Sequence, residues 1–500
     1  MADRYFGASD SQDSDRGIFR PHELDRSIIS VPLLQELAGR SPEDPVRVVF
    51  DLNLLFPRGE YASGLEAAGA RVVDLLNRLR GRQPELPFSV RRQQPGSQHV
   101  VAVLSPVFIR QVVIADQESA VDNQRAIFHV WPDFEVQAQL DASVATVKAD
   151  AARASFAATG RGIVWAVLDS GVCADHPHFR LHGNCTNLPP GLEHLNFINN
   201  DPVDQDPFGH GTHVAGIIGG EATVTEGFLS ASRSERDPED QAKPRPADIR
   251  TITGVAPECT LLSYRVLDEA GIGSSGVMLD ALQAVHEVNN YGRLLRIHGV
   301  NISAGYTFKP EWFACGQSPL CTAVDRLVRS GVVVVVSAGN TGYAYAADAF
   351  ASGPVAAGRA LTINDPGNAE LAITVGSTHR DSPHMYGISY FSSKGPTGDG
   401  RAKPDLVAPG ERILSAGAGK MRDRASAKSA PFDYIEHSGT SMAAPHVSGA
   451  IAAFLSVRRE FIARPERVKQ IFTETATDLG RVRDFQGHGL VDLMRAIQYV

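Results

Sequence analysis

An aspartate, a histidine and a serine stand in short motifs rich in glycine and other small residues: Asp169 in VLDSGV, His210 in FGHGTHVAG and Ser441 in HSGTSMAAPHVSG. They follow one another in that order, 41 and then 231 residues apart. A serine hydroxyl, a histidine base and a carboxylate that orients the histidine are the groups that nucleophilic acyl transfer requires. The three residues are therefore candidates for one catalytic site.

Each motif has a structural explanation when it is taken singly. An aspartate after a strand can cap a turn, a histidine at a helix start can be buried, and a serine can be an N-cap. The functional explanations are equally specific. Asp169 ends an apolar run, the small neighbours of His210 let another backbone approach, and Ser441 meets the positive end of a helix dipole.

Short apolar runs alternate with helical patterns after about residue 160. The predicted strands are Ile163–Leu168, Leu261–Leu267, Leu294–Ile302 and Val332–Ser337, and two of the predicted helices are Val277–Val288 and Ser318–Arg329. Strands that are apolar on both faces and separated by helices predict a parallel sheet covered on both sides, an α/β fold. The segments Glu221–Arg250 and Ala416–Phe432 are charged or basic and are predicted to be inserted surface loops.

An earlier part of the chain predicts a separate, smaller domain over residues 45–137. Its predicted strands are Val46–Leu55, Phe88–Arg92, His99–Leu104 and Ala126–Phe134, and its predicted helices are Leu65–Leu79 and Pro106–Ile114. This β-α-β-β-α-β order is the α+β, ferredoxin-like arrangement. Residues 1–44 are assigned to a polar, partly disordered lead, and residues 138–500 to the second domain.

Together the three motifs resemble those of the subtilisin-like serine protease family, in which Asp, His and Ser occur in this chain order. The resemblance continues through Gly254–Glu258, Ser337–Asn340, Ala402–Gly410 and the closing GHGLVDLMRAI, and covers about residues 140–500. It implies a subtilisin-like, doubly wound and mostly parallel sheet that carries a serine endopeptidase.

The family likeness also implies a role for each site residue. Ser441 would be the nucleophile, His210 the general base and then acid, and Asp169 the group that orients His210. Asn340 would be the side-chain oxyanion donor, assisted by the backbone N–H of Ser441.

Two segments resemble the edges between which the family binds an extended peptide by β-augmentation. They are Ser303, Ala304 and Gly305 on one side and Gly271, Ile272 and Gly273 on the other. The run from Gly271 to Gly276 also fits the dinucleotide pattern G-x-G-x-x-G. That site needs an acidic residue about twenty residues on, at the end of a second strand, and the sequence has none there, so we reject it.

No cofactor is implied, and no metal-binding residues are predicted. Family members with the common calcium site carry an aspartate where this chain has His178, and their Asn-rich loop is replaced by Glu221–Arg250. Calcium prefers several oxygen ligands, so we predict that this site is lost, while a structural calcium elsewhere stays open. We hypothesise that the Glu221–Arg250 segment restricts access to the site.

The position of the small domain implies that it is the family's inhibitory prosegment, an intramolecular inhibitor of the enzyme. Residues Val144–Lys148 resemble the start of mature family members. We therefore hypothesise self-cleavage between Glu135 and Ala145.

Composition excludes several other classes of protein. The 500 residues carry a net charge of −9, which argues against a nucleic-acid partner. The N-terminus has no apolar signal region, and runs such as Ala450–Leu455 are shorter than the roughly 18 residues that span a membrane. The five cysteines predict free thiols, although Cys315 and Cys321 could bridge under oxidation. These features predict a cytoplasmic protein without a membrane partner, or a secreted one if the start is mis-assigned, acting on proteins or peptides.

Two other functions agree less well with the sequence. A catalytically silent relative that binds peptides as a scaffold would usually have lost one of the site residues, and here all are present. An esterase of the α/β-hydrolase type requires G-x-S-x-G and the order Ser, Asp, His, and the chain has neither.

Overall fold

The computed structural model describes residues 28–499, apart from residues 54, 58–63, 91–98, 119–124, 133–141, 200, 237–241, 309–314, 347–354 and 427–430. The chain divides into two compact units, Met1–Ala138 and Gln139–Val500. Each unit has a hydrophobic core of its own.

The first unit is a four-stranded antiparallel sheet with helices. Its elements are α1 (Val31–Ala38), β1 (Val46–Leu52), α2 (Gly64–Arg80), β2 (Phe88–Val90), β3 (His99–Leu104), α3 (Pro106–Glu118) and β4 (Ile127–Pro132). Along the chain, the elements from β1 to β4 follow the order β-α-β-β-α-β. Within the sheet, the strands lie in the order β2-β3-β1-β4. Alternate residues such as Val48 and Phe50 point into a core that also holds Val72 and Phe108.

Element bounds in this unit differ from the sequence-based ones. The segment assigned to the polar lead contains α1, because Leu33 and Leu37 lie one helical turn apart and are buried in the core. The first strand ends at Leu52, where the Asn53 side chain donates to the carbonyl oxygen of Arg125.

The second unit has fifteen strands, twelve α-helices and two short 3-10 helices (Asn290–Gly292 and Arg459–Phe461) among its described residues. Its strands are β5 (Val164–Asp169), β6 (Leu195–Asn196), β7 (Glu221–Thr223), β8 (Ala231–Arg236), β9 (Ala242–Pro246), β10 (Thr251–Thr253), β11 (Thr260–Arg265), β12 (Gly299–Ile302), β13 (Val333–Ser337), β14 (Tyr343–Ala346), β15 (Val355–Gly358), β16 (Ile373–His379), β17 (Leu406–Glu411), β18 (Ile413–Ala416) and β19 (Tyr434–His437). Its helices are α4 (Ala142–Thr146), α5 (Ala149–Phe156), α6 (Pro177–Arg180), α7 (His210–Ile218), α8 (Ser275–Val288), α9 (Pro319–Arg329), α10 (Pro383–Tyr386), α11 (Gly419–Ala425), α12 (Thr440–Val457), α13 (Pro465–Glu474), α14 (Arg483–Gln486) and α15 (Leu493–Gln498).

Seven of these strands form a sheet in the order β17-β16-β13-β12-β5-β11-β6, and all neighbours are parallel. In β5, Trp165 and Val167 join the core that contains α7 and α12, whereas Ala166 and Leu168 join the core that contains α8 and α9. The predicted α/β fold with a parallel sheet covered on both faces is confirmed. Because the strands are parallel, β5, β11, β12 and β13 all end at the same edge, where ligands gather in such sheets.

The prediction of two inserted surface loops is wrong. The segment from 221 to 250 contains β7, β8 and β9, and the segment from 416 to 432 contains α11. Strand β8 pairs with β19 in a sheet ordered β18-β19-β8-β9. Ala231 and Ile249 of this charged segment form a small core there with Leu414 and Tyr434, whereas its Phe228 is exposed.

Helix α12 is the one described helix long and apolar enough to cross a membrane by length and composition alone. Of the 18 residues of this helix, 83% are buried inside the protein, as in the core helix of a globular domain. The five cysteines all carry free thiols.

Candidate active site

The carboxylate of Asp169 and the imidazole of His210 meet at the carboxyl edge of the sheet. Asp169 is the last residue of β5, and His210 is the first residue of α7. The Nδ1 atom of His210 lies 2.8 Å from Oδ1 of Asp169. Because an ionised carboxylate only accepts hydrogen bonds, Nδ1 carries the proton and Nε2 is left as the basic nitrogen.

The surroundings of His210 favour its protonated form. Its side chain is 13% exposed. Burial by itself lowers the pKa of His210, but the charges of Asp169 and Asp206 outweigh it and hold that pKa above its ordinary value. The ring of His437 has its centroid 6.4 Å from that of His210. Partial desolvation and the nearby His210 lower the pKa of His437 to about 4, so it stays uncharged near neutral pH.

Ser441 lies in the first turn of α12, and Pro445, about one turn later, removes a helical hydrogen bond from that turn. A proline has no backbone N–H, so the carbonyl oxygen of Ser441, four residues earlier, has no helical donor. The hydroxyl of Ser303 donates to that oxygen at 3.0 Å. The Ser441 hydroxyl in turn donates to the carbonyl oxygen of Ser303 at 3.0 Å. In this conformation the Ser441 proton is therefore held by Ser303.

A buried chain of polar side chains fixes Ser303. Asn301 donates from Nδ2 to the Ser303 hydroxyl at 2.9 Å. Ser448, on α12, donates to Oδ1 of Asn301 at 2.9 Å. Asn301 and Ser448 are both fully buried, so these bonds join the end of β12 to the body of α12.

Only one orientation of the Asn340 side-chain amide accepts the hydrogen bonds that its neighbour Thr440 donates. Its Oδ1 accepts from the backbone N–H of Thr440 at 2.9 Å and from the Thr440 hydroxyl at 3.0 Å. These two donors assign the oxygen to that side and leave Nδ2 free to point into the cleft. The N–H of Ser441 lies in the first turn of its helix, where such groups have no intrahelical acceptor. Two donors are thus available beside the serine hydroxyl.

A cleft of about 520 Å³ runs along this edge. His210, Asn340 and Ser441 line it, whereas Asp169 is buried behind His210. All six residues predicted to bind the substrate also line it: Gly271, Ile272, Gly273, Ser303, Ala304 and Gly305.

The structure also supplies the walls that the sequence did not locate. Thr341 and Asn364 line one part of the cleft, and the hydroxyl of Thr341 lies within hydrogen-bond reach of Oδ1 of Asn364. Val266, Leu267 and Met278 line another part. The cleft-lining residues that the structure describes include no aspartate, glutamate, lysine or arginine.

Asp206 is a neighbour of the site that sequence reasoning missed. It lies four residues before His210, is 5% exposed, and bonds to both the β5 end and the α7 start. The signal available in the sequence was an acidic residue just ahead of a helix.

No three His, Cys, Asp or Glu side chains among the described residues are arranged to hold a metal ion. The fully buried imidazole of His178 lies where the family's calcium site would need an oxygen ligand. Its Nε2 is 3.0 Å from the carbonyl oxygen of Gly216, to which it donates. A nitrogen that donates a proton to a carbonyl cannot bind a cation, so these residues do not fit calcium.

Comparison with known proteins gives a family match and several relatives. A model of the subtilase family matches residues 160–489. Membrane-bound transcription factor site-1 protease of Rattus norvegicus is 30% identical over 348 residues, which are 68% of this chain and 25% of that protein. Serine protease AprX of Bacillus subtilis is 29% identical over 381 residues, 74% of each chain. Subtilisin E of Bacillus subtilis is 27% identical over 340 residues, 68% of this chain and 67% of its own.

This chain spans about a quarter of the length of the site-1 protease that it matches. The family match nevertheless covers most of the second unit and includes Asp169, His210, Asn340 and Ser441. The chain therefore belongs to the subtilase family, a family of serine peptidases.

Proposed function

We propose that this protein is a serine endopeptidase that cleaves peptide bonds through an acyl-enzyme on Ser441. The observation that carries the proposal is the 2.8 Å contact between His210 and Asp169 at the wall of a cleft that also holds Ser441. The contact fixes the tautomer in which Nε2 of His210 is a base.

The reaction begins when the Ser441 hydroxyl gives up its bond to Ser303 and donates its proton to Nε2 of His210. The Ser441 oxygen then attacks the substrate carbonyl carbon, and Asp169 stabilises the imidazolium that results. His210 returns the proton to the leaving amine as the acyl-enzyme forms. A water molecule, deprotonated by the same nitrogen, releases the acyl group and restores Ser441.

The negative charge of the tetrahedral intermediate would be held by Nδ2 of Asn340 and the backbone N–H of Ser441. Both donors are oriented before substrate binds, because Thr440 fixes the amide of Asn340 and the helix fixes the backbone of Ser441. Donors fixed in advance stabilise developing charge without a cost of reorganisation at the moment of reaction.

The substrate would be an extended peptide with uncharged side chains near the scissile bond. The segments 271–273 and 303–305 offer backbone groups for strand pairing on the two sides of the cleft. A charged side chain would lose its hydration in a cleft whose described lining carries no opposite charge. The apolar wall of Val266, Leu267 and Met278 favours an apolar residue, and the amide of Asn364 favours a small polar one.

The first unit would act as an inhibitory prosegment. In β1, β3 and β4 the residues that face away from the core include Val49, Val101, Val103 and Trp131, and Val49 pairs with both Val101 and Trp131. This apolar patch lies beside the charged Arg47 and Asp51 on the same face, and an apolar patch with a polar rim is typical of a surface that binds a partner. We propose that the partner is the peptidase unit of the same chain.

The proposed self-cleavage falls between residues 135 and 145, of which residues 135–141 lie outside the described residues. Purified wild-type protein and Ser441→Ala should be incubated side by side and their fragments sequenced from the N-terminus. We expect the wild type alone to be cut in this interval. Identical full-length bands from both proteins would rule out self-processing.

The enzyme function is tested by labelling with a fluorophosphonate, which reacts with an activated serine. Wild-type protein should label and Ser441→Ala should not. Ser438→Ala, an exposed serine three residues away, is the matched control and should label like the wild type. Absence of labelling in the wild type would favour the silent peptide-binding relative instead.

A further inference from the structure

We propose that Asp206 is a second carboxylate of the active site, a positioning residue that clamps the Asp169 and His210 segments together and adds negative charge behind His210. The proposal rests on the proposed peptidase function and concerns how the site is held and tuned.

The carboxylate of Asp206 accepts four hydrogen bonds in a fully enclosed position. Oδ1 accepts from the backbone N–H of Gly209 at 2.7 Å and from the hydroxyl of Ser170 at 2.8 Å. Oδ2 accepts from the backbone N–H and the hydroxyl of Thr212, both at 2.8 Å. Every partner is a donor, which favours the charged carboxylate, while burial outweighs these bonds and raises the pKa of Asp206 above its ordinary value.

Two hydroxyl groups extend this clamp across the site. The Ser170 hydroxyl, beside Asp169, also accepts from the backbone N–H of Gly211 at 3.0 Å. The Thr212 hydroxyl also accepts from the backbone N–H of Cys173 at 3.0 Å. The turn after β5 and the first turn of α7 are therefore joined directly by two hydrogen bonds, and Asp206 orients the hydroxyl group in each of them.

The glycines of the two motifs allow this close approach. A Cβ atom on Gly211 would lie 2.1 Å from the carbonyl oxygen of Gly171, and one on Gly171 would lie 2.2 Å from that of Gln205. Gly171 has a φ of +113°, which a side chain would also disfavour. Because the backbones of these segments are in contact, a small shift of Asp206 would also displace His210.

Several titratable groups face His210. Asp169 approaches from β5, Asp206 from the segment before α7, and His437 from β19, while His213 lies on α7 itself, its ring 6.0 Å from that of His437. Burial lowers the pKa of His213 well below its ordinary value, so both neighbouring imidazoles are neutral near pH 7. The pKa of His210 is therefore set by burial against two carboxylates, and removal of one charge should lower it.

The test compares full-length wild type with Asp206→Asn, Ser170→Ala and Asp325→Asn. Asp325 is a control buried to a similar degree, 7% exposed, that accepts a backbone N–H from Leu371 at 2.8 Å away from the site. For each protein, kcat and KM for a peptide and the rate of fluorophosphonate labelling of Ser441 are measured against pH.

For Asp206→Asn we expect kcat to fall by about 100-fold, the effect of a misplaced reacting group, with little change in KM because Asp206 does not line the cleft. His210 must be neutral to act as a base, so its lower pKa should move the acid limb of both profiles toward lower pH, by about one unit. Ser170→Ala should lower kcat without moving the acid limb, because it keeps the charge. Asp325→Asn should change neither.

An unmoved acid limb in folded Asp206→Asn would overturn the electrostatic part of the proposal, and an unchanged kcat would overturn the clamp. If Asp206→Asn does not fold, Ser170→Ala decides, and a wild-type kcat in that variant would overturn the proposal. Wild-type protein that neither labels nor cleaves peptides would instead refute the proposed function on which the inference rests.

Discussion

In the proposed reaction, stabilisation of the oxyanion depends on the orientation of a single side-chain amide, that of Asn340. Thr440 fixes its oxygen through two donors, and Gly339 in turn donates to the Thr440 hydroxyl at 3.1 Å. The amide nitrogen is therefore directed toward the cleft before any substrate arrives. Its contribution is expected in the transition state, where the oxyanion forms, and not in the binding of the ground state.

We expect Asn340→Ala to lower kcat by about 10²–10³-fold with KM nearly unchanged. The figure is the loss known for the corresponding donor of subtilisin, a relative of this protein, and we apply it here without adjustment. Steady-state kinetics on a peptide substrate measures both constants. Asn340→Asp, which keeps the size but replaces the donor with a carboxylate, should lose as much. A kcat close to that of the wild type in either variant would exclude Asn340 as the oxyanion donor.

At the scale of elements, the β8–β9 hairpin has a packing role that the sequence did not indicate. Among the residues from 221 to 250 that the structure describes, none lines the cleft. Its base instead pairs with β19, where Ala231 lies opposite Tyr434, and covers Tyr434 and Leu414. Charge and proline made the segment look like a loop, because edge strands tolerate both and only a few of its residues are buried.

Replacing residues 231–249 with a short Gly-Ser turn should lower the melting temperature, because Tyr434 and Leu414 would lose their contacts with Ala231 and Ile249, cover worth roughly 1.5–3 kcal/mol for each large side chain. The cleavage pattern on unfolded casein should remain that of the intact protein. Thermal unfolding and mass spectrometry of the casein fragments measure the two effects. A broader cleavage pattern with unchanged stability would restore the access hypothesis.

Helix α6 makes a second prediction at this scale, because His178 stands where the family resemblance would place an aspartate ligand of calcium. We expect the melting temperature to be the same with and without EDTA. His178→Asp should be destabilised by about 3–5 kcal/mol, since it would bury a carboxylate against the carbonyl oxygen of Gly216. The exposed His384→Asp is the control and should unfold like the wild type. A clear loss of stability in EDTA would show that a structural ion is present after all.

For the whole molecule, buried neutral histidines predict sensitivity to acid. Burial lowers the pKa of His178 to about 3 and those of His298 and His446 to about 4. Below about pH 6.5 the unfolded chain binds protons at these positions, whereas the folded chain does not. The free energy of unfolding therefore falls as the pH drops from about 6.5 toward 4, by on the order of 1 kcal/mol or more for each residue.

This prediction is checked by denaturant unfolding of Ser441→Ala at pH 7 and pH 4.5, a background in which self-digestion cannot obscure the result. His446→Gln in the same background should lose less stability between the two pH values than its parent. Equal stability at both pH values would contradict the expectation. So would an unchanged pH dependence in the His446 variant.

The sequence by itself determined the family, the α/β class and the residues at the centre of the site. Asp169, His210 and Ser441 stand in short motifs of small residues, and the residue types and order of these motifs can be read directly from the sequence. The parallel sheet was predictable for the same reason, because β5 and β13 are apolar on both faces.

Only the tertiary structure decided which groups surround those residues. Four features depend on segments distant in the sequence or on the direction of a side chain. They are the hydrogen bonds of Asp206, the place of Asn364 in the cleft wall, the bonds from Thr440 to Asn340 and the pairing of β8 with β19. The physical reason is that hydrogen bonds and charges act over a few ångströms in space. Their partners are fixed by how the chain folds back on itself, and no local pattern of residues records that.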